Sequence, residues 1–219
     1  LARGPQALLV GSFALVIAIG ALLLWLPPMH TDQPISLLDA LFTSTSAVCV
    51  TGLIVVDTAT AWSHAGQGVI LALIQIGGLG IVTYGAVILQ LIGRRISIRS
   101  RLMLNDSFFH EELRAEFSKA LMMVIGITVS IEALGFALLL GTLRPFDALF
   151  HAISAFCNAG FSTFSDNLMG FDSNLRVLAP VMVLIVMGGI GHLVIIETVR
   201  RFWSSFRRER HTAIRWSLS

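Results

Sequence analysis

The sequence has few charged residues, and long stretches of it contain none. Asp, Glu, Lys and Arg make up 13% of the 219 residues, against about 25% in an average soluble domain. This low charge content excludes an ordinary water-soluble domain. The apolar residues form four blocks of about 20 residues or more, the length that crosses a bilayer; they cover residues 6–26, 68–93, 118–143 and 175–199. We therefore predict an all-α membrane protein with several spans.

Motifs of catalysis and of metal binding are also missing. The sequence has two cysteines, Cys49 and Cys157, without a CxxC pair or a histidine cluster, so neither a disulfide nor a transition-metal site is indicated. We expect both thiols to pack as small buried side chains. No Walker A, HExxH, GxSxG or GxGxxG signature occurs, and this favours a protein that is not an enzyme and binds no organic cofactor.

Positive charge is absent from most of the first half. No Lys or Arg lies between Gly4 and Gly93, whereas arginines are frequent in residues 94–101 and 200–215. Cytoplasmic loops of membrane proteins carry the excess of Lys and Arg. We predict that the N-terminus, the middle linker with Arg99 and the tail with Arg208 are cytoplasmic, and that Asp32, Asp57 and Asp166 face outside. A basic tail of this kind is a topological signal and does not indicate nucleic-acid binding.

One segment of the sequence occurs twice. Residues 39–53, DALFTSTSAVCVTGL, align without a gap on residues 147–161, DALFHAISAFCNAGF, and eight of the 15 positions are identical. A glycine cluster follows in each copy, at residues 77–80 and 188–191, and we interpret it as a site of close helix packing, with a hinge as the alternative. We divide the chain into a first pore repeat (1–93), a cytoplasmic linker (94–117), a second pore repeat (118–203) and a basic cytoplasmic segment (204–219).

The helix at the start of each copy is too short to cross a bilayer. Residues 36–48 would extend about 20 Å, against about 30 Å of hydrocarbon. Ser36 and Asp39 are suited to the start of the first helix, and Pro145 and Asp147 to the start of the second. Because both flanking spans place the ends of the segment outside, the chain must enter the membrane and return. Non-helical backbone survives there only inside protein or along a watery cavity, so we predict two re-entrant pore segments.

These repeats, with the motifs TSTSAVCVTGL, VVDT, QIGGLG and SAFCNAGFS, resemble the Trk/Ktr/HKT potassium transporter superfamily. The nearest resemblance is to the membrane subunit of bacterial Ktr-type potassium uptake systems, and it covers essentially the whole chain. It implies a potassium-channel-like, pseudo-fourfold arrangement of four span–pore helix–filter–span repeats. This chain contains two of them and begins with Leu1, so we expect a fragment whose residues 204–219 lead to a third repeat.

The resemblance also implies where the ion binds. Backbone carbonyls of two filter segments would replace the hydration shell of K⁺. The residues concerned are Cys49, Val50, Thr51, Gly52 and Leu53, and Cys157, Asn158, Ala159, Gly160 and Phe161. Glycine at positions 52 and 160 favours K⁺ over Na⁺, although a glycine that only ends a helix is the alternative. Asp57 and Asp166 follow the filters and either attract cations to the pore mouth or are solvated loop residues.

The implied function is passive potassium uptake through the inner membrane of a bacterium. The implied partners are the lipid bilayer, a second copy of the protein and a cytosolic ring of nucleotide-binding regulatory subunits, which alone would bind the nucleotide. Three alternatives remain: a sodium-permeable transporter of the same fold, a membrane enzyme using Ser, His151 or Glu132, and a non-conducting scaffold. Glu132, in the centre of a predicted span, pairs with a neighbouring repeat, stays protonated or handles ions. Duplicated polar features favour a filter, since an active site needs only one cluster.

Overall fold

The computed structural model describes residues 5–31, 34–93, 106–191, 194–195 and 198. Its described part contains six α-helices and no β-strand; a single isolated bridge joins His30 and Trp62. The helices are α1 (Pro5–Leu24), α2 (Leu37–Val48), α3 (His64–Gly93), α4 (Asp106–Leu139), α5 (Pro145–Phe156) and α6 (Leu175–Ile190). The predictions for Asp32, Arg99, Arg208 and residues 204–219 lie outside the described residues.

The two short helices begin where the sequence predicts. Ser36 Oγ accepts a hydrogen bond from the Asp39 amide at 3.1 Å, and the Asp39 carboxylate accepts one from the Ser36 amide at 3.1 Å. This capping box satisfies two amide groups that the first turn of a helix leaves unpaired. Helix α5 has Pro145 in its first turn, where the missing N–H of proline costs nothing. The predicted caps at Ser36 and Asp39 are confirmed.

The long helices agree with the predicted apolar blocks in order but differ in extent. Leu121–Leu139 in α4 is the only stretch of the described chain that is both long and apolar enough to cross a membrane; the apolar parts described for α1, α3 and α6 are shorter. Helix α4 already begins at Asp106, within the segment 94–117 that we predicted as linker. The Asp, Glu and Arg residues of its first turns explain why the hydropathy pattern gave a later start.

Each half of the chain packs around its own short helix. In the first half α2 contacts α1 and α3, and in the second half α5 contacts α4 and α6. Contacts of α3 with α4 and α5 join the halves. The apolar core of the first half includes Phe150, Ala159 and Phe161 from the second. The two repeats therefore meet at the segments that follow their short helices.

Candidate functional site

The segments after α2 and α5 have the same unusual backbone. We call residues 49–53 the first filter turn and residues 157–161 the second filter turn. Val50 and Asn158 have φ of 55° and 58°, and Gly52 and Gly160 both have φ of 73°. Non-glycine residues rarely adopt positive φ, and here they do so at equivalent positions of both copies. The sequence repeat thus encodes a repeated conformation.

The amides of each turn point back to its helix. Thr51 N–H donates to the Ser46 carbonyl at 2.9 Å, and Ala159 N–H donates to the Ser154 carbonyl at 2.8 Å. Within the described chain, the carbonyl oxygens of residues 49–53 and 157–160 accept no hydrogen bond. The Phe161 carbonyl differs, because it accepts a hydrogen bond from Ser154 Oγ at 2.7 Å. Among the described residues, nine of the ten predicted carbonyl oxygens therefore meet no donor and are available as ion ligands.

The glycines do not end the helices. The cap residues are Cys49 and Cys157, so Gly52 and Gly160 lie three residues beyond them. A Cβ on Gly52 would overlap the Ala159 carbonyl oxygen, while a Cβ on Gly160 would lie 3.6 Å from the Gly52 Cα. The interpretation that these glycines only end helices is thus wrong. They allow positive φ, and Gly52 also allows the two filter turns to lie side by side.

The glycine clusters of the long helices pack against the ends of the short helices. A Cβ on Gly77 would overlap the Val48 carbonyl oxygen, and a Cβ on Gly188 would overlap the Phe156 carbonyl oxygen. Val48 and Phe156 are the last residues of α2 and α5. Close packing, the first of our two interpretations, is confirmed at Gly77 and Gly188, because only a residue without a side chain fits there.

A hydrogen bond joins the segments that follow the two turns. The Asp57 carboxylate accepts from Ser165 Oγ, from the Ala59 amide at 2.9 Å and from Thr60 Oγ1 at 3.0 Å. Asp57 and Ser165 are 108 positions apart, the spacing of the repeat. Burial raises the pKa of Asp57, but these hydrogen bonds outweigh it and leave the pKa below its ordinary value. Asp166, in contrast, is exposed.

A buried histidine supports the second filter turn. His151 Nδ1 lies 2.8 Å from the Asp147 carbonyl oxygen, and its Nε2 lies 2.9 Å from Ser162 Oγ. Since a carbonyl only accepts, Nδ1 carries the proton and Nε2 accepts from the serine hydroxyl. The ring also stacks on Phe164, with centroids 4.9 Å apart. This serine–histidine pair is buried and lacks the orienting carboxylate of a catalytic triad, so its geometry favours support of the loop.

Glu132 and the cysteines occupy different surroundings. Glu132 accepts a hydrogen bond from Gln75 of the first repeat at 3.1 Å, which supports one of the interpretations of this residue, pairing with a neighbouring repeat. Both cysteines are free; Cys157 is half-buried, but Cys49 is exposed. The expected burial is therefore wrong for Cys49, because no described helix covers it as α3 covers Cys157. Among the described residues, no three His, Cys, Asp or Glu side chains form a metal site.

Sequence reasoning missed the polar residues that support the turns. Ser46 and Ser154 are identical in the aligned segments, and this was a usable signal. Ser46 Oγ lies 2.9 Å from Thr51 Oγ1, while Ser154 bonds the Phe161 carbonyl. No such signal marks Gln75, Ser162 or Ser165. Their hydrogen-bond partners are distant in sequence, or the partner residue differs between the two copies.

Comparison with known proteins shows the family of the chain. The profile of the TrkH family, described as a cation transport protein, matches residues 4–218. The chain is 40% identical over 208 residues to the Ktr system potassium uptake protein B of Bacillus subtilis, covering 90% of this chain and 46% of that protein. It is 36% identical over 211 residues to the Vibrio alginolyticus protein of the same name, covering 93% and 46%.

A third relative is the potassium/sodium uptake protein NtpJ of Enterococcus hirae, 35% identical over 199 residues, which cover 87% of this chain and 44% of that protein. The chain thus spans less than half the length of each of these relatives. Since the family match extends over almost all of the chain, the chain belongs to the TrkH family of cation transport proteins, and it is a membrane protein.

Proposed function

We propose that this chain contributes two pore repeats to a potassium-conducting membrane subunit of a Trk/Ktr-type uptake system. The observation that carries the proposal is the pair of filter turns, which share one backbone conformation and hold their carbonyl oxygens free of described donors. Rings of backbone carbonyls are the general means of replacing the hydration shell of K⁺. Potassium also stands in the names of the three relatives. Permeation would be passive, without covalent chemistry.

The conducting unit would contain four filter turns around one axis. Two turns place carbonyls on one side of an ion and leave the other side open, so they cannot replace a hydration shell. The exposure of Cys49 supports this arrangement. In the second repeat Cys157 is covered by Gly78 of the preceding repeat, and an equivalent helix of another repeat would cover Cys49 in the same way.

The surroundings of the subunit follow from the family resemblance. We propose a bacterial inner membrane with a cytoplasmic N-terminus, a second copy as partner and a cytosolic nucleotide-binding ring that gates the pore. Asp57 and Asp166 would then lie at the outer mouth. The Asp57 carboxylate also joins the two turns, so its role there is positioning as well as attraction of cations.

The test is ion flux through the full-length natural protein in vesicles, with K⁺ and Na⁺ compared. We expect K⁺ flux well above that of protein-free vesicles and above Na⁺ flux. Equal flux of both ions would favour the second candidate, a potassium/sodium pathway, which the name of NtpJ at 35% identity supports. No flux of either ion from inserted protein, with its cytosolic partner present, would contradict both candidates.

A further inference from the structure

Three polar side chains meet behind the second filter turn, at the boundary between the repeats. Gln75 belongs to α3 of the first repeat, Glu132 to α4, and Cys157 follows the last residue of α5. Gln75 Nε2 donates to Glu132 Oε2 at 3.1 Å. The Cys157 sulfur lies 4.0 Å from Glu132 Oε1 and 4.0 Å from Gln75 Oε1. The three side chains therefore form one contact between the two repeats.

This contact lies in an apolar environment. Glu132 is only 6% exposed and belongs to Leu121–Leu139, the described stretch that is apolar enough to cross a membrane. A carboxyl group at such a place is costly unless it is hydrogen-bonded. The bond to Gln75 provides such a partner and favours one arrangement of the two side chains.

Cys157 is confined by this arrangement. Gly78 lies one helical turn after Gln75, on the same face of α3, and a Cβ there would be 2.8 Å from the Cys157 sulfur. The backbone N–H of Cys157 is bonded to carbonyls of α5. The residue that follows, Asn158, has the strained φ of 58°, and such a conformation persists only where its surroundings fix it. Side-chain contacts behind Cys157 therefore help to hold the second filter turn.

Among the described residues, the first filter turn has no counterpart to this contact. Helix α1 precedes the first filter turn as α4 precedes the second, and it contains no Asp or Glu; Cys49 is exposed. The carboxyl group of this contact is thus specific to the second repeat. A structural requirement common to all repeats would not produce this difference.

We propose that Gln75 and Glu132 are positioning residues that hold the second filter turn through Cys157 and help to set the preference for K⁺ over Na⁺. This inference rests on the proposed conduction through that turn. A carbonyl filter distinguishes ions by the positions and freedom of its oxygens. A loosened turn therefore changes the flux ratio of the two ions, which does not depend on how much protein is inserted.

The experiment measures the ratio of K⁺ to Na⁺ flux for variants of the full-length natural protein. Glu132→Leu removes the acceptor, and we expect the ratio to fall about fivefold, the effect of one lost buried hydrogen bond. Glu132→Gln keeps an acceptor for Gln75 and should retain the ratio. Ser130→Ala is the matched control, because Ser130 lies on the same helix, is exposed and bonds only the Gly126 carbonyl at 2.7 Å among its described partners.

Exchanging Gln75 and Glu132 tests their direct contact, even if the Glu132→Leu protein fails to insert into the membrane. Gln75→Glu places two carboxyl groups together and should lower the ratio, and Gln75→Glu with Glu132→Gln should restore it. A double variant as impaired as Gln75→Glu would overturn the proposal. So would an unchanged ratio in both Glu132→Leu and Gln75→Glu when the natural protein conducts K⁺. Absence of K⁺ flux in the natural protein would instead contradict the proposed function itself.

Discussion

The two filter turns have the same backbone but different supports. Positive φ occurs at Val50 and Gly52 in the first and at Asn158 and Gly160 in the second. In the first turn Ser46 contacts the Thr51 hydroxyl, whereas in the second Ser154 bonds the Phe161 carbonyl. The His151–Ser162 pair is found only in the second; Thr43 and Ile54 stand at the equivalent positions of the first. The comparison shows that both repeats keep the same backbone conformation, while the side chains that stabilise it differ.

The largest effect on stability is expected where a new side chain would overlap backbone atoms at the ends of α2 and α5, just before the filter turns. Gly77→Ala and Gly188→Ala introduce a Cβ that overlaps the Val48 and Phe156 carbonyl oxygens. Neither helix end can yield without moving its filter turn, so we expect a strong loss of folded protein, equivalent to about 3 kcal/mol or more. Gly68→Ala is the control, since nothing lies within 4 Å of its Cβ. Thermal unfolding in detergent measures all three; wild-type stability in Gly77→Ala would contradict the described packing.

The filter glycines distinguish the two turns more finely. Gly52→Ser and Gly160→Ser both force a residue with Cβ to φ of 73°, at a cost of about 1–3 kcal/mol each. The serine Cβ of Gly52→Ser would also overlap the Ala159 carbonyl oxygen, whereas a Cβ at position 160 would lie 3.6 Å from the Gly52 Cα, an ordinary contact distance. We expect both variants to lose discrimination between K⁺ and Na⁺ in uptake by cells without other potassium systems, with Gly52→Ser the more damaged. Unchanged selectivity in both would contradict the filter assignment.

Much of this comparison could be predicted from the sequence. The 108-residue repeat located both short helices, and Ser36 and Asp39 located the start of one of them, because capping and repetition are local patterns. The pairing of Glu132 is only one of three interpretations that the sequence allows, since the partner Gln75 is 57 positions away and belongs to another repeat. The exposure of Cys49 does not follow from the sequence repeat. Cys49 and Cys157 are equivalent in sequence, but only Cys157 has a described helix, α3, packed against it.

The paired serines test whether the supports differ in effect as well as in chemistry. Ser154→Ala frees the Phe161 carbonyl, which then can rotate, whereas Ser46→Ala removes only a contact between two hydroxyl groups. We expect Ser154→Ala to change the K⁺ to Na⁺ flux ratio by about fivefold, the effect of one lost buried hydrogen bond, and Ser46→Ala to change it less. Equal effects of the two variants would show that the two supports are equivalent despite their different partners.

The smallest effect concerns Asp57, a half-exposed residue that joins the segments following the two turns. Its pKa in the folded protein lies below the ordinary value of 3.8, so ionised Asp57 stabilises the fold. That contribution is fully present above pH 3.8 and is lost as the pH falls through the lower, folded-state pKa.

We expect Asp57→Asn to be slightly less stable than the natural protein at about pH 7 and to lose part of the dependence of its stability on acid pH. Ser165→Ala should do the same to a smaller degree, because the Ala59 amide and Thr60 still bond the carboxylate. Thermal unfolding at several pH values from about 7 down to about 2 measures both effects. If Asp57→Asn retained the full acid sensitivity, the ionised carboxylate would not be what joins the two turns.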